Sequence, residues 1–218
     1  MIDGHMLHQD HMGNRGDLRS GDVQWMTAGR GIIHSEMPQQ SQGRMRGFQL
    51  WINLPANEKM KPAHYRDIPA AEIPLVSLSG GGRVKVIAGS VTLDGKVTSG
   101  PISGSSTDPV YLDITLNRGE VFEQPITTGH NAFAYIYEGK VRVGADGAER
   151  ALPHRAAGIL GHGDQVRLIG DDDGTRLILL AGKPINEPIA QYGPFVMNTH
   201  DEVEQALRDY REGTLASA

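Results

Sequence analysis

One histidine and one glutamate near residue 35 form the pair that is best suited to hold a metal ion. His34 and Glu36 are separated by a single residue. On a β-strand, such residues point to the same face and lie about 7 Å apart along the strand. Imidazole combined with carboxylate suits iron, manganese, nickel or copper better than it suits structural zinc. The spacing alone is not specific, because most His-x-Glu pairs are surface or hydrogen-bonded residues.

The composition of the 218 residues narrows the classes of function. The formal net charge is -5 and there is no block of Lys or Arg, so direct binding of nucleic acid is not expected. There is no cysteine, which excludes disulfides and thiol chemistry. The N-terminal residues carry no export signal and no segment is apolar enough to span a bilayer. We therefore expect a cytoplasmic protein that is not attached to a membrane.

The sequence of the whole chain predicts short strands joined by turns. Its 28 glycines and 12 prolines occur in short clusters, which is typical of all-β proteins. We predict a strand at Phe48–Leu54, where apolar and polar positions alternate before Pro55. Prolines and charges from Pro62 to Pro74 predict a connection, so we divide the chain into residues 1–68 and 69–218. The strands predicted in the second region are Val84–Ala88, Tyr111–Leu116, Ala132–Tyr137, Lys140–Val143, Gly158–Leu160 and Leu177–Leu180.

One helix is predicted, near the C-terminus. Thr199 and Glu202 form a capping box, and Gly213 ends the helix. An apolar stripe that includes Val203, Leu207 and Tyr210 is expected to pack against a barrel surface.

An internal repeat in the sequence indicates two copies of one β unit. Ile2-Asp3-Gly4 followed by Gly21-Asp22 recurs as Tyr137-Glu138-Gly139 followed by Gly163-Asp164, and such self-similarity predicts a duplicated unit. The second copy has a long strand before its turn, whereas the first has only Met1 and Ile2. We therefore expect an incomplete first barrel, with its strand edges covered by another chain in a homo-oligomer, by the second unit or by rearranged strands.

Several long runs resemble one protein family. Residues 21–38 resemble the second cupin motif and, more specifically, the signature segment of the pirin family. The resemblance continues through Gln49–Pro55 and Glu58–Met60 and reappears at Ala190–Thr199. It implies a bicupin, an all-β protein with two cupin-type β-barrels, here with an incomplete first barrel of residues 1–68. Residues 69–218 are then expected to form the second barrel with its terminal helix.

The resemblance also implies a metal site in the first barrel. Pirin-like proteins hold one transition metal, usually iron, through three histidines and one glutamate. His34 then matches the third histidine and Glu36 the glutamate, while the first two belong to a His-Pro-His segment before the Ile2-Asp3-Gly4 turn. No His-x-His occurs in this sequence. We therefore expect a chain that is shortened at the N-terminus relative to the family and that holds metal weakly, through two ligands.

The remaining histidines of the first unit are given lesser roles. His5 and His8 have opposite strand parity, so a regular strand cannot place both on one face. His5 and His11 are interpreted as exposed or structural residues. His8 with Asp10 matches a family His-x-Asp pattern, so we expect both to support the pocket from behind the ligands. In the second barrel, His130 stands alone where a metal-binding cupin has its first histidines, which predicts a metal-free scaffold.

Three functions are consistent with these residues. The resemblance implies a quercetinase-type dioxygenase with iron or another divalent transition metal, acting on a small aromatic, flavonol-like substrate, with Glu36 as a catalytic proton acceptor as well as a ligand. With half of the ligands missing, we expect flavonol oxygenation near background. The second function is a non-enzymatic regulator that binds a protein partner and uses the metal as a redox sensor. The third is an inactive, shortened fragment.

Overall fold

The computed structural model describes residues 1–216 and divides the chain into two compact units. The first unit comprises Met1–Glu72 and Ile185–Ala218, and the second comprises Ile73–Pro184. In the part of the chain that is described, no helix is both long and apolar enough to cross a membrane.

The N-terminal part of the first unit is built on a three-stranded antiparallel sheet in the order β2-β1-β4. β1 therefore lies between the other two strands, with His8 opposite Gly16 of β2 on one side and Glu36 of β4 on the other. A separate two-stranded sheet joins β3 to β5. The bounds are β1 His5–Asp10, β2 Arg15–Arg19, β3 Val23–Thr27, β4 His34–Pro38 and β5 His64–Ile68, with 3₁₀ turns at Ala56–Glu58 and Ala70–Glu72.

The second unit consists of two larger sheets and a hairpin. The sheet orders are β15-β12-β17-β10-β7-β6 and β11-β16-β13-β14, and β8 pairs with β9. Alternate residues of the central strands, such as Leu112, Ile114 and Leu116 of β10, are fully buried in one apolar cluster, as expected for strands with one face toward a barrel interior. The strands are β6 Leu75–Ser77, β7 Arg83–Ala88, β8 Ser90–Leu93, β9 Lys96–Ser99, β10 Val110–Leu116, β11 Val121–Pro125, β12 Asn131–Glu138, β13 Val141–Val143, β14 Arg150–Leu152, β15 Ala157–Ile159, β16 Gln165–Gly170 and β17 Thr175–Gly182.

The C-terminal segment of the first unit forms a short hairpin and a helix. β18 (Ala190–Tyr192) pairs with β19 (Phe195–Met197), and α1 spans His200–Glu212. Thr199 accepts a hydrogen bond from the Glu202 backbone N–H, the Glu202 carboxylate returns the capping-box bond, and Gly213 ends the helix in the left-handed conformation. The predicted helix and both of its caps are confirmed, as is the predicted all-β cupin architecture with a C-terminal helix.

The packing of α1 differs from the prediction at its last turn. Val203 and Ala206 are buried, whereas Tyr210 is 54% exposed. The helix packs against β18 and β19, whose strands of three residues each extend about 10 Å, while 13 residues of helix extend about 20 Å. The hairpin is therefore too short to cover the whole apolar stripe.

Two local predictions in the first unit were wrong. Residues 48–54 form no strand and belong to none of the sheets of the described residues. The stretch predicted as a connection from Pro62 to Pro74 contains β5, which is stabilised by pairing with β3. A strand's backbone groups need a partner as well as a suitable side-chain pattern.

The predicted division at residue 68 stays a prediction, and the compact units of the structure are drawn differently. The structure groups residues 185–216, including α1, with the first unit, whereas the sequence prediction assigned them to the second barrel. Hydrogen bonds join the two segments of the first unit: the buried Lys59 ammonium donates to the Val196 carbonyl (3.0 Å) and to the Asn53 side chain (2.6 Å), and Glu187 accepts from the Ala56 N–H (2.7 Å). Burial lowers the pKa of Lys59.

Candidate metal centre

The antiparallel pairing of β1 with β4 brings two histidines and one glutamate together. His8 lies directly opposite Glu36, and Asp10 lies opposite His34. Residues that face each other across an antiparallel ladder point to the same side of the sheet, so all four side chains share one face. The potential ligand atoms of His8, His34 and Glu36 lie within 4.8 Å of one another. The rings of His8 and His34 are 5.0 Å apart, edge to face.

His8 is the most unusual of these residues. It is fully buried, yet within the described residues neither of its ring nitrogens has a hydrogen-bond partner. Buried polar atoms are nearly always paired, and leaving one unpaired costs about 1–3 kcal/mol. Burial, and next to it the neighbouring His34, lowers the pKa of His8. The ring is therefore held in the neutral form that a metal requires.

The arrangement fits a transition-metal ion. Nitrogen and oxygen ligands about 2.1 Å from one ion are about 3 Å apart when adjacent and about 4.2 Å apart when opposite each other. The donor atoms lie within 4.8 Å of one another, so rotation of the side chains must bring them closer before they share one ion. Two histidines and one carboxylate form the ligand set of oxygen-using iron(II) sites, which keep further positions open.

Exposure differs across the group. His8 is closed off from solvent, whereas His34 and Glu36 are both exposed, as is every residue of β4. The three donors would therefore hold an ion from the buried side and leave its other side accessible, which is the requirement for a small molecule to reach it.

Asp10, although on the same face, is engaged elsewhere. Its carboxylate accepts hydrogen bonds from the N–H groups of Met12 and Asn14 (2.9 Å each) and from the Asn14 amide (2.8 Å). Desolvation opposes ionisation of Asp10, but these bonds outweigh it and lower its pKa. Asp10 therefore fixes the turn between β1 and β2, and through that turn the position of His8.

Residues of β5 form the wall behind His8, and the sequence interpretation missed them. The Tyr65 ring lies 5.7 Å from the His8 ring. Asp67 occupies the space over Gly16, where an added Cβ would lie 2.5 Å from its carboxylate, and Gln24 donates to Asp67 at 2.9 Å. Buried and exposed residues do not alternate regularly in β5, since Arg66 and Asp67 are both exposed, so the local sequence gave no clear signal for this strand.

His5 and His11, which lie on or next to β1, are outside the group. His5 bonds to Asp17 (2.5 Å) on the opposite face of the sheet, and the His11 ring contacts the Ala216 carbonyl (2.9 Å). The structure thus places the predicted pair His34 and Glu36 together and brings His8 to ligand distance, whereas the sequence interpretation had set it behind the ligands. Binding of an ion by these residues stays a prediction, as does a metal-free second barrel.

Comparison with known proteins identifies the family. The model of the family described as Pirin matches residues 1–52, and that of the Pirin C-terminal cupin domain matches residues 111–216. The protein named "Putative quercetin 2,3-dioxygenase PA3240" from Pseudomonas aeruginosa is 48% identical over 217 residues, covering 99% of this chain and 75% of the relative. Human pirin is 42% identical over 211 residues, covering 95% and 70%.

Solved structures agree with this assignment. The crystal structure of quercetin 2,3-dioxygenase from Acinetobacter baumannii superimposes with a TM-score of 0.86 at 33% identity, covering 99% of this chain and 74% of that one. These matches span both units and include the segment that carries His34 and Glu36. The chain therefore belongs to the pirin family of cupin proteins.

Proposed function

We propose that this chain is a metal-dependent dioxygenase of the quercetinase type, with one transition-metal ion held by His8, His34 and Glu36. The observation that carries the proposal is His8, a fully buried imidazole without a hydrogen-bond partner among the described residues, which faces an exposed histidine and glutamate. Two of these three residues lie in the segment that resembles the family motif. The relatives named above support the choice of reaction.

Each side chain has a distinct part in this proposal. His8, kept neutral by burial, offers a nitrogen lone pair from the closed side of the site. His34 and Glu36 contribute from the exposed strand β4. Because Glu36 is exposed, it can also accept the hydroxyl proton of an aromatic enol such as a flavonol as the substrate approaches.

The bound ion would supply a Lewis acid that polarises a substrate oxygen, together with open positions for small molecules. Iron(II) is the first choice, because two histidines and one carboxylate match its ligand preference in oxygen-using sites. The wall of Tyr65 and Asp67 would limit the substrate to the exposed side of the group.

The test is metal binding and oxygen uptake measured on the same preparations. Metal-free protein is loaded with iron(II) under nitrogen, bound iron is quantified, and oxygen consumption is followed with quercetin as substrate. We expect about one iron per chain and quercetin-dependent oxygen uptake. His34→Ala should weaken iron binding by more than about 100-fold, since loss of a direct ligand exceeds the 10–100-fold typical of residues behind the ligands.

His154→Ala, which changes an exposed histidine of the second unit, is the control and should alter neither measurement. Uptake of oxygen that His34→Ala leaves unchanged would refute the proposed site. Stoichiometric iron without any flavonol-dependent uptake would refute the dioxygenase and favour the non-enzymatic redox function instead.

A further inference from the structure

The post-helix segment, residues 214–216, follows the cap of α1 and turns back toward the helix. Thr214 and Leu215 both donate their backbone N–H groups to the Asp209 carbonyl, at 2.8 and 3.1 Å, and the Thr214 hydroxyl donates to the same oxygen at 3.2 Å. These bonds leave the chain little freedom at this point. Leu215 is only 9% exposed, so the segment carries a buried apolar anchor.

Leu215 packs directly on the backbone of Gly31, three residues before His34. A Cβ atom added to Gly31 would lie 2.8 Å from Leu215 Cγ, closer than real side chains approach, and Gly31 has a φ of 154°. A residue without a side chain is therefore required here. The neighbouring Arg30 N–H donates to the Lys61 carbonyl at 3.0 Å. The turn before β4 is thus fixed at two consecutive residues.

The His11 ring joins the post-helix segment to the residue that precedes β4. Its Nδ1 accepts a hydrogen bond from the Ile33 N–H (3.3 Å), and its Nε2 lies 2.9 Å from the Ala216 carbonyl oxygen. A carbonyl can only accept and a backbone N–H can only donate, so the neutral ring with its proton on Nε2 satisfies both partners. The His11 backbone N–H also donates to the Ile33 carbonyl at 2.9 Å.

This bridge lies where the two ligand-bearing strands meet. His11 directly follows β1, Ile33 directly precedes β4, and the pair of Asp10 with His34 is the last of the ladder at that end. Movement of Ile33 would therefore move His34, the next residue along the chain.

We propose that His11 and Leu215 are positioning residues for the candidate metal centre. Together they hold the start of β4 against the end of β1, and so set the place of His34 relative to His8. Ligands of a working site must be held within about 0.5 Å of the productive geometry, which a strand with a loose end does not achieve. Only the consequence for the ion rests on the proposed function, because the hold on β4 needs no metal.

The first measurement is made without metal. In chelator, hydrogen exchange of residues 31–38 is followed by mass spectrometry in the unmodified protein, in His11→Ala and in Leu215→Ala. Loss of either contact should speed exchange in this segment at least about tenfold, because local opening then costs less free energy. Exchange of β10 in the second unit should stay the same.

Two variants provide the controls for exchange. Leu215→Met keeps a buried side chain of similar volume and should retain slow exchange in residues 31–38. Thr199→Ala weakens the cap at the other end of α1, a helix of 13 residues, about 20 Å from the post-helix segment. It should leave the exchange of residues 31–38 unchanged.

The second measurement concerns the ion. Nickel(II) affinity is determined by competition with a chelator, at a temperature at which every variant is folded. His11→Ala and Leu215→Ala should each raise the dissociation constant about 10–100-fold, the range for residues that support ligands without binding the ion. X-ray absorption of the nickel-loaded proteins should give the same number of bound imidazoles in both variants as in the unmodified protein.

Unchanged exchange of residues 31–38 in His11→Ala and Leu215→Ala would overturn the proposal. Faster exchange with unchanged nickel affinity would overturn it too, because the two residues would then only stabilise the fold. One imidazole fewer in His11→Ala would make His11 a ligand and contradict its positioning role. If the unmodified protein binds no nickel while exchange responds as expected, the hold on β4 stands and the proposed function is refuted, so the two fail separately.

Discussion

Replacement of His8 by leucine should stabilise the metal-free protein while it impairs metal binding. His8 is fully buried with two unpaired ring nitrogens, each of which carries a cost of about 1–3 kcal/mol when unsatisfied. Leucine has a similar volume, so little cavity or crowding is expected. A water in the unmodified protein would recover part of the cost. We therefore expect His8→Leu to raise the free energy of unfolding in chelator by about 1–3 kcal/mol.

The effect should reverse when metal is added. A metal at 100 times its dissociation constant stabilises the folded protein by about 2.7 kcal/mol, and His8→Leu should lose most of this gain. The assay is urea unfolding of both proteins, in chelator and in excess nickel(II), which avoids oxidation of iron. The matched control is His154→Leu, at an exposed histidine, which should change stability little in either condition. If His8→Leu destabilises the metal-free protein by more than about 1 kcal/mol and still gains stability from nickel, the reasoning about His8 is wrong.

Three further predictions concern the fold. Thr199→Ala should lower the free energy of unfolding by about 1 kcal/mol, because it removes the helix cap, and Thr199→Ser should restore most of it; equal losses in both variants would contradict the capping role. Gly29→Ala should cost at least about 2 kcal/mol more than Gly13→Ala in chemical denaturation, because both glycines have positive φ but only at Gly29 would the new Cβ meet backbone, the Lys61 carbonyl; equal costs would exclude the close approach. Burial, followed by the charge of Asp113, raises the pKa of Tyr111 to about 12. The stability that the protonated Tyr111 hydroxyl contributes is therefore complete below pH 10 and is lost as the pH rises toward 12, by about 1.4 kcal/mol per pH unit. Tyr111→Phe should make the free energy of unfolding depend less on pH over that interval, and an unchanged pH dependence would contradict the burial of the hydroxyl.

Features that depend on local sequence were predicted well. The capping box of Thr199 and Glu202 and the stop at Gly213 involve only neighbouring residues. The shared face of His34 and Glu36 follows from strand parity alone, and β4 does contain both. Each of these predictions needed no knowledge of what the element packs against.

Features that depend on pairing between distant segments were not predicted. The prediction that His5 and His8 point to opposite faces of the strand was correct. Only the register of β1 with β4 reveals that His8 lies opposite Glu36. In the same way, β5 exists because β3 pairs with it, despite its flanking prolines. Residues 48–54 have a suitable strand pattern and form no strand. The local side-chain pattern indicates which secondary structure a segment can adopt, whereas the available pairing partners decide whether it adopts that structure.

We expect His8, His34 and Glu36 to hold one metal ion together. X-ray absorption of the nickel-loaded protein counts imidazole ligands directly, because the outer atoms of each bound ring scatter in a characteristic pattern. We expect at least two imidazoles in the unmodified protein, and one fewer in His8→Leu and in His34→Ala, with His154→Leu unchanged. An imidazole count that is the same in His8→Leu as in the unmodified protein would contradict the claim.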